Sequence, residues 1–289
     1  MRIIILGASG QVGYELSKIF NSFNRYAIMS LSSEDLDITN HTAVEECIST
    51  FKPNILINAA AYTKVDDCES NKTIAEKVNY KAVANLVKHC NKNNTKIFHF
   101  STDYVFDGKS TKPYSEEDAT NPINEYGKSK LCGDQFILKN ASKFNIFRVS
   151  WVFGSTGHNF VRTMLNNAHK SEISIVDDQF GCPTSAKSIA KIVKVFIDNY
   201  SSHNGLFNFT NSPPVSWHEF ASNIFNFAYE AGQITSIPQL VKVNTSQFKT
   251  KARRPANSVL SISKIEKLLG KNIIPAWKHE LRDVISEID

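Results

Sequence analysis

Tyr126 and Lys130 stand four residues apart in the stretch Tyr126-Gly127-Lys128-Ser129-Lys130, so a helix here puts a phenol and an ammonium on one face. That pairing is acid/base chemistry. A free phenol titrates near pH ~10, and a neighbouring cation favours the phenolate and draws the pKa toward neutrality. Thr102 follows the apolar run Lys96 to Phe100. Its hydroxyl is expected beside Tyr126, where it can hydrogen-bond a carbonyl oxygen and polarise it as hydride arrives. Together the three groups suit proton delivery to a ketone under reduction.

These side chains need a scaffold and a hydride source, and the N-terminus points to both. Ile3-Ile4-Ile5-Leu6 reads as a buried strand, too short for a signal-peptide core or a membrane span. Gly7-Ala8-Ser9-Gly10-Gln11-Val12-Gly13 follows, then a helix with Leu16, Ile19 and Phe20 at helical spacing. A strand, a glycine turn and a helix in this order make a dinucleotide site. Its expected contacts are Gly7, Ser9, Gly10, Gln11, Val12 and Gly13, with pyrophosphate at the helix N-terminus. A second strand, Tyr26 to Leu31, ends at Ser32-Ser33 with no acid to repel a 2′-phosphate and no arginine to clasp one. NADPH is therefore expected, with NADH also usable. Asp37 and Ile38 are expected to border the adenine. The strand Ile55 to Ile57 ends in Asn58-Ala59-Ala60-Ala61, small residues that leave room for ribose and nicotinamide. Thr63, Val65 and Asp66 follow in a loop within reach of a substrate. A continuous helix is expected from about Thr73 to Asn91, with Asn79 in a structural role.

Composition bounds the answer. The 289 residues suggest two lobes, and 42% hydrophobic with 21% charged residues describes an ordinary globular protein. A formal charge of +5 without a long basic run argues against nucleic-acid or membrane partners and fits an anionic ligand. The five cysteines lack metal-ligand or CxxC spacing, which fits a reducing, cytoplasmic setting.

In the second half, Phe147 to Gly154 reads as a last buried strand leaving the sheet, with the second lobe beginning near Trp151. Asn159-Phe160-Val161 opens a helix in which Asn159 is placed to donate to a diphosphate. Ser185 to Tyr200 carries an apolar stripe that packs back on the first lobe. Ser216-Trp217-His218-Glu219 reads as a capping box and as architecture. Arg253-Arg254-Pro255 offers guanidiniums suited to phosphate oxygens, Arg254 above all.

Taken together, Gly7 to Gly13, Leu36 to Thr39, Asn58 to Asp66, Ser101 to Gly108, Tyr126 to Lys130, Asp177 to Thr184 and Arg253-Arg254-Pro255 resemble the extended short-chain dehydrogenase/reductase family along nearly the whole chain. Within it they resemble the branch that reduces nucleotide-linked 4-keto-6-deoxysugars. Sugar-nucleotide dehydratases of the family carry two acids after the Thr. Here Thr102-Asp103 is followed by Tyr104, which favours reduction over loss of water.

The resemblance implies an α/β fold: a Rossmann-type doubly wound parallel sheet with a smaller, interleaved α/β substrate-binding domain. Residues 1–150 plus about 173–201 would form the NAD(P)-binding part, and about 151–172 plus 202–289 the substrate part. It implies NADPH-dependent reduction of dTDP-4-dehydro-L-rhamnose to dTDP-L-rhamnose for cell-surface polysaccharide. Thr102, Tyr126 and Lys130 would be catalytic, with Lys130 lowering the Tyr126 pKa and holding the nicotinamide ribose. Thr63, Val65, Asp103, Tyr104, Trp151, Asn159 and Arg254 would line the nucleotide-sugar site. Some members dimerise through magnesium held by acids. Glu15 matches one such acid, but Lys187 stands where another belongs, so no metal bridge is expected and a homodimer stays open. Two other readings share these residues: a reductase of another nucleotide-6-deoxyhexulose, and a non-catalytic NADP-binding regulatory subunit.

Overall fold

Strands that are apolar on both faces need helices on both faces, and the first half of the chain is built that way. A computed structural model describes residues 1–270 and 273–288. Along the chain come β1 (Arg2–Leu6), α1 (Gln11–Asn21), β2 (Ala27–Leu31), α2 (His41–Phe51), β3 (Ile55–Asn58), α3 (Val65–Ser70), α4 (Lys72–Glu76), α5 (Val83–Lys92), β4 (Lys96–Thr102), α6 (Glu125–Asn140) and β5 (Phe144–Val149). Next are β6 (Val152–Phe153), α7 (Phe160–Asn166), β7 (Glu172–Val176), β8 (Phe180–Gly181), β9 (Thr184–Ser185), α8 (Ala186–Asn199) and β10 (Gly205–Asn208). β11 (Val215–Ser216), α9 (Trp217–Glu230), β12 (Gln239–Val243), α10 (Ser263–Leu269) and α11 (Trp277–Ser286) complete the order.

Six parallel strands form the central sheet in the order β10-β5-β4-β3-β1-β2. Alternation sorts their side chains: Ile3, Ile5, Ile57, Phe98 and Phe147 face α1 and α8, while Ile4, Leu6, Leu56, Ile97 and Ile146 face α2 and α5. A separate core of Phe153, Phe220, Phe225, Trp277 and Leu281 holds the second lobe.

The structure corrects two expectations about the fold. Residues 202–289 do not all go with the second lobe: β10 pairs in parallel with β5, and Ile265 of α10 is buried in the same core as Phe207. The apolar Leu206 and Phe207 each find a covered face there. Nor is the helix expected over 73–91 continuous. A π-helical segment, Lys77–Ala82, separates α4 from α5. It carries Asn79, whose amide bonds both the N–H and C=O of Tyr62 and donates to Ser129 Oγ on α6. Such bulges recur at functional sites because the extra residue re-aims a side chain.

One contact sets the depth of α6. A Cβ on Gly127 would lie 2.1 Å from the Tyr104 carbonyl oxygen, so the helix rests on the turn after β4 only because this residue has no side chain. Gly127→Ala is expected to cost about 1–3 kcal/mol of stability. The measurement is a lower denaturation midpoint at unchanged slope. Turnover should fall with it, since Tyr126 moves when α6 moves.

Candidate active site

The glycine turn leaves β1 through Gly7 at φ +76°, and a Cβ there would sit 2.7 Å from the Ala60 amide nitrogen. Only glycine meets both demands. Gly10 is the N-cap of α1, with no side-chain cap and no acid in the first turn, so the first N–H groups and the positive end of the helix dipole stay open to an anion. Ser9 is exposed and Gln11 and Val12 half-buried at this opening, while Gly13 is buried against Gly7. Ala59, Ala60 and Ala61 are half-buried beside it. This cradle fits a dinucleotide.

Around the cradle several expected contacts are otherwise engaged. The end of β2 is not free of acid: Asp35 folds back and its Oδ2 accepts from Ser32 N–H at 2.8 Å and Ser32 Oγ at 2.7 Å. Asp37 is exposed and closes a local turn, accepting from Thr39 N–H at 2.9 Å. The Ile38 side chain is buried in the core under the sheet, so it can offer a ligand only its backbone. Asn58 is buried too, its amide pinned between the Ala60 N–H and the His99 ring.

The chemistry-bearing groups meet at the carboxyl end of β4. Thr102 ends the strand and caps the short 3-10 turn Asp103–Val105, accepting from Tyr104 N–H at 3.2 Å. Tyr126 stands on the first turn of α6, which Asn124 caps by accepting from Gly127 N–H at 2.8 Å. Its ring packs edge-on against Tyr104 with centroids 5.9 Å apart.

Burial pushes the Tyr126 phenol well above its ordinary range, and the nearby Thr102 hydroxyl offsets this only in part. Lys130 does not lower it. Its side chain turns into the wall of the sheet, where Nζ donates to the Phe100 carbonyl at 2.6 Å and lies 3.2 Å from His99 Nε2. Sharing a helix face brings two residues together at their bases, but the tip of a lysine goes where its partners are.

Behind Lys130 the hydrogen bonds fix one another. Ala60 N–H donates to Asn58 Oδ1 at 3.2 Å, which orients the amide so that Nδ2 meets His99 Nδ1 at 3.1 Å. The imidazole is thus held at both nitrogens, Nδ1 by the Asn58 amide and Nε2 by Lys130 Nζ. Burial holds His99 neutral, its pKa well below the usual value, and lowers that of Lys130 to about 8.

On the far side of Tyr104 lies a cavity of about 660 Å³. Of the residues assigned to substrate, Tyr104, Asn159 and Arg254 line it, whereas Thr63, Val65, Thr102, Asp103, Tyr126 and Trp151 do not. Thr63 is exposed, Val65 begins α3, and Asp103 is 2% exposed behind Thr102. Asn159 is spent internally: Oδ1 accepts from Arg162 N–H at 3.1 Å to cap α7, and Nδ2 donates to Gln11 Oε1 at 3.0 Å and to the Gly154 carbonyl at 2.9 Å. It is a strut rather than a free donor. Trp151 sits at φ +47°, rare for a bulky residue, and stacks on Trp217 with centroids 3.4 Å apart. Trp217 also lines the cavity, so this residue of the capping box does more than shape a helix. Its neighbour in sequence, Ser216, does cap α9 by accepting from Glu219 N–H at 3.1 Å.

Arg254 reaches the cavity held by a partner that sequence spacing hides. Its NH2 lies 2.8 Å from Asp66 Oδ2 and its NH1 3.3 Å from Oδ1, a two-pronged pair across 188 positions of chain. Asp66 also accepts from Ala252 N–H at 2.9 Å.

On another face, Lys187 Nζ lies 3.3 Å from Asp283 Oδ2 and 3.6 Å from Glu287 Oε1, so an ammonium already serves these acids. Among the described residues no three His, Cys, Asp or Glu side chains gather to hold a metal.

The uncapped helix behind a glycine turn, the parallel sheet and the Thr, Tyr and Lys at its carboxyl edge define a Rossmann-type fold with a short-chain dehydrogenase/reductase site. The chain belongs to the RmlD substrate binding domain family, whose profile matches residues 1–289. It is 39% identical to a dTDP-4-dehydrorhamnose reductase of Aggregatibacter actinomycetemcomitans, over 98% of either chain. Among solved structures it resembles a dTDP-4-dehydrorhamnose reductase from Clostridium acetobutylicum (36% identity, 99% of both chains, TM-score 0.92). It also resembles one from Bacillus anthracis in complex with NADP (34% identity, 99% of both chains, TM-score 0.91).

The Asp66–Arg254 pair has a pH signature. The guanidinium holds the Asp66 carboxyl below its usual range, so its contribution is present above the unfolded pKa near ~4 and is lost as pH falls through the lower folded value. The carboxylate is 40% exposed, so solvent limits the pair to under about 1 kcal/mol. Asp66→Asn should flatten the acid limb of the stability curve by that amount, read by thermal melts between about pH 3 and 5.

Proposed function

We propose that this chain uses NADPH to reduce the C4 ketone of dTDP-4-dehydro-L-rhamnose, giving dTDP-L-rhamnose for cell-surface polysaccharide. The observation that carries the proposal is the gathering of Thr102, Tyr126 and Lys130 at the end of β4, between an open helix N-terminus and a cavity edged by Arg254. Family membership and the names of the 34–39% identical relatives support it.

When bound, the nicotinamide supplies the hydride. Gly7, Gly10, Gln11, Val12 and the backbone of Ala59 to Ala61 would hold the dinucleotide, and Lys130 its ribose once Nζ turns out from the Phe100 carbonyl. Thr102 and Tyr126 donate hydrogen bonds to the ketone oxygen, which gains charge as the carbonyl is reduced. Tyr126 then gives up its proton to that oxygen. A phenol kept neutral by burial is already in the form that donates. Arg254, anchored by Asp66, takes the substrate diphosphate, and Trp151 on Trp217 forms a flat wall beside the sugar. Five free thiols, three of them buried, favour the cytoplasm.

The test follows NADPH oxidation with freshly made dTDP-4-dehydro-L-rhamnose, its UDP analogue and no sugar, with product identification. Turnover that needs the dTDP sugar and yields rhamnose is the expected result. Tyr126→Phe should lower kcat by about 10²- to 10⁴-fold with NADPH affinity intact, and a variant running near full rate removes Tyr126 from the mechanism. NADH is expected to work as well, because Asp35 sets a carboxylate at the end of β2. Asp35→Ala should raise the NADPH-to-NADH ratio of kcat/KM, and an unchanged ratio places Asp35 away from the cofactor.

A further inference from the structure

Asp103 is shut inside the protein one residue beyond Thr102. It is 2% exposed, its Oδ1 lies 3.0 Å from Thr102 Oγ1, and its Oδ2 is buried with no hydrogen-bond partner among the described residues. The groups that face it are Thr102 and Tyr104 from its own turn, Tyr126 from α6, Cys182 from the loop after β8, and Ser258 from the segment before α10. None is a cation. The guanidinium that bears on Tyr104 is already bound to Asp66. An ionised carboxyl here would be a buried charge without a counter-ion, a costly state.

The hydroxyl of Thr102 makes that state matter. A threonine oxygen has one proton to give and two lone pairs. One lone pair takes the Tyr104 N–H. A carboxylate at Asp103 can only accept, so it would claim the single Thr102 proton and leave none for a ketone. A carboxylic acid reverses the bond: Asp103 donates to the second lone pair, and the Thr102 proton is free to point at substrate.

We propose that Asp103 works as a neutral carboxylic acid that donates to Thr102 Oγ1, and thereby aims the Thr102 proton at the ketone oxygen. This makes Asp103 a positioning residue, and it rests on the reduction proposed above. Hydrogen bonds in series strengthen one another, so the donor chain is strongest when the ketone oxygen turns negative. Burial supports the assignment by raising the Asp103 carboxyl to about 7.

The pH profile of kcat tests it. In the wild type kcat should fall as pH rises past about 7, as Asp103 ionises and reclaims the Thr102 proton. Asp103→Asn presents an N–H donor at every pH, so its kcat should be lower by about tenfold yet flat across that range. Asp103→Leu has no donor and should lose about 10²- to 10³-fold in kcat with KM nearly unchanged. If Asp103→Asn keeps the alkaline fall of the wild type, or is as poor as Asp103→Leu near pH ~6, the proposal is overturned. An infrared measurement separates this from the choice of sugar. NADPH-loaded protein without substrate should show the carbonyl stretch of a protonated carboxyl near pH ~6, and Asp103→Asn should lack it. A missing band overturns the proposal even if the sugar is reduced. A band that disappears on substitution supports the acid form even if that sugar is not the substrate.

Discussion

The site depends on a close approach between a helix and a carbonyl. Because Gly127 has no side chain, α6 settles onto the Tyr104 carbonyl, and residues 24 positions apart come to share one wall. Thr102 and Tyr126 then face the same small volume, and the backbone between Asp103 and Val105 has to turn tightly to let them. The adjoining helices answer to the same demand. Asn79 on the π-helical segment ties α6 to the Tyr62 backbone through Ser129, so the depth of the helix is fixed from its other side as well.

Once that wall closes, water is excluded and the usual charge states no longer hold. Tyr126 is kept as a phenol, His99 as a neutral imidazole, and Lys130 has its pKa lowered to about 8. The common cause is desolvation, which penalises whichever form is charged. The charged pair Arg254 and Asp66 lies further out, half in solvent, where a phosphate could compete for the guanidinium. The site thus grades from a dry end that keeps Tyr126 and His99 neutral to a wetter end that keeps Arg254 and Asp66 charged.

Much of this is readable in the sequence, for reasons that are local. Ile3 to Leu6 and Ile55 to Ile57 are unbroken apolar runs bounded by polar residues or glycine, so their burial as parallel strands follows from composition and length. The glycine spacing at residues 7–13 and the i, i+4 placement of Tyr126 and Lys130 are local too. What escapes is through-space. Asp66 and Arg254 pair across 188 positions. The return of Asp35 to Ser32 depends on a turn that no periodicity announces. The lysine tip depends on which carbonyl lies beyond its helix, and β10 joins the sheet because an edge of β5 is open to it, a fact about the three-dimensional surface. Trp217 hides because a residue inside a capping motif reads as part of the helix, while the partner it stacks on is 66 positions away.

The Asn159 strut has one more consequence. Its Oδ1 sets the first turn of α7, a wall of the cavity, and its Nδ2 grips Gln11 at the mouth of the glycine turn. The two halves of the cleft are therefore mechanically geared, since a shift of Gln11 is a shift of α7. Any free energy that an occupant of one half gains by moving this joint is passed to the affinity of the other half, and by reciprocity is returned in equal amount.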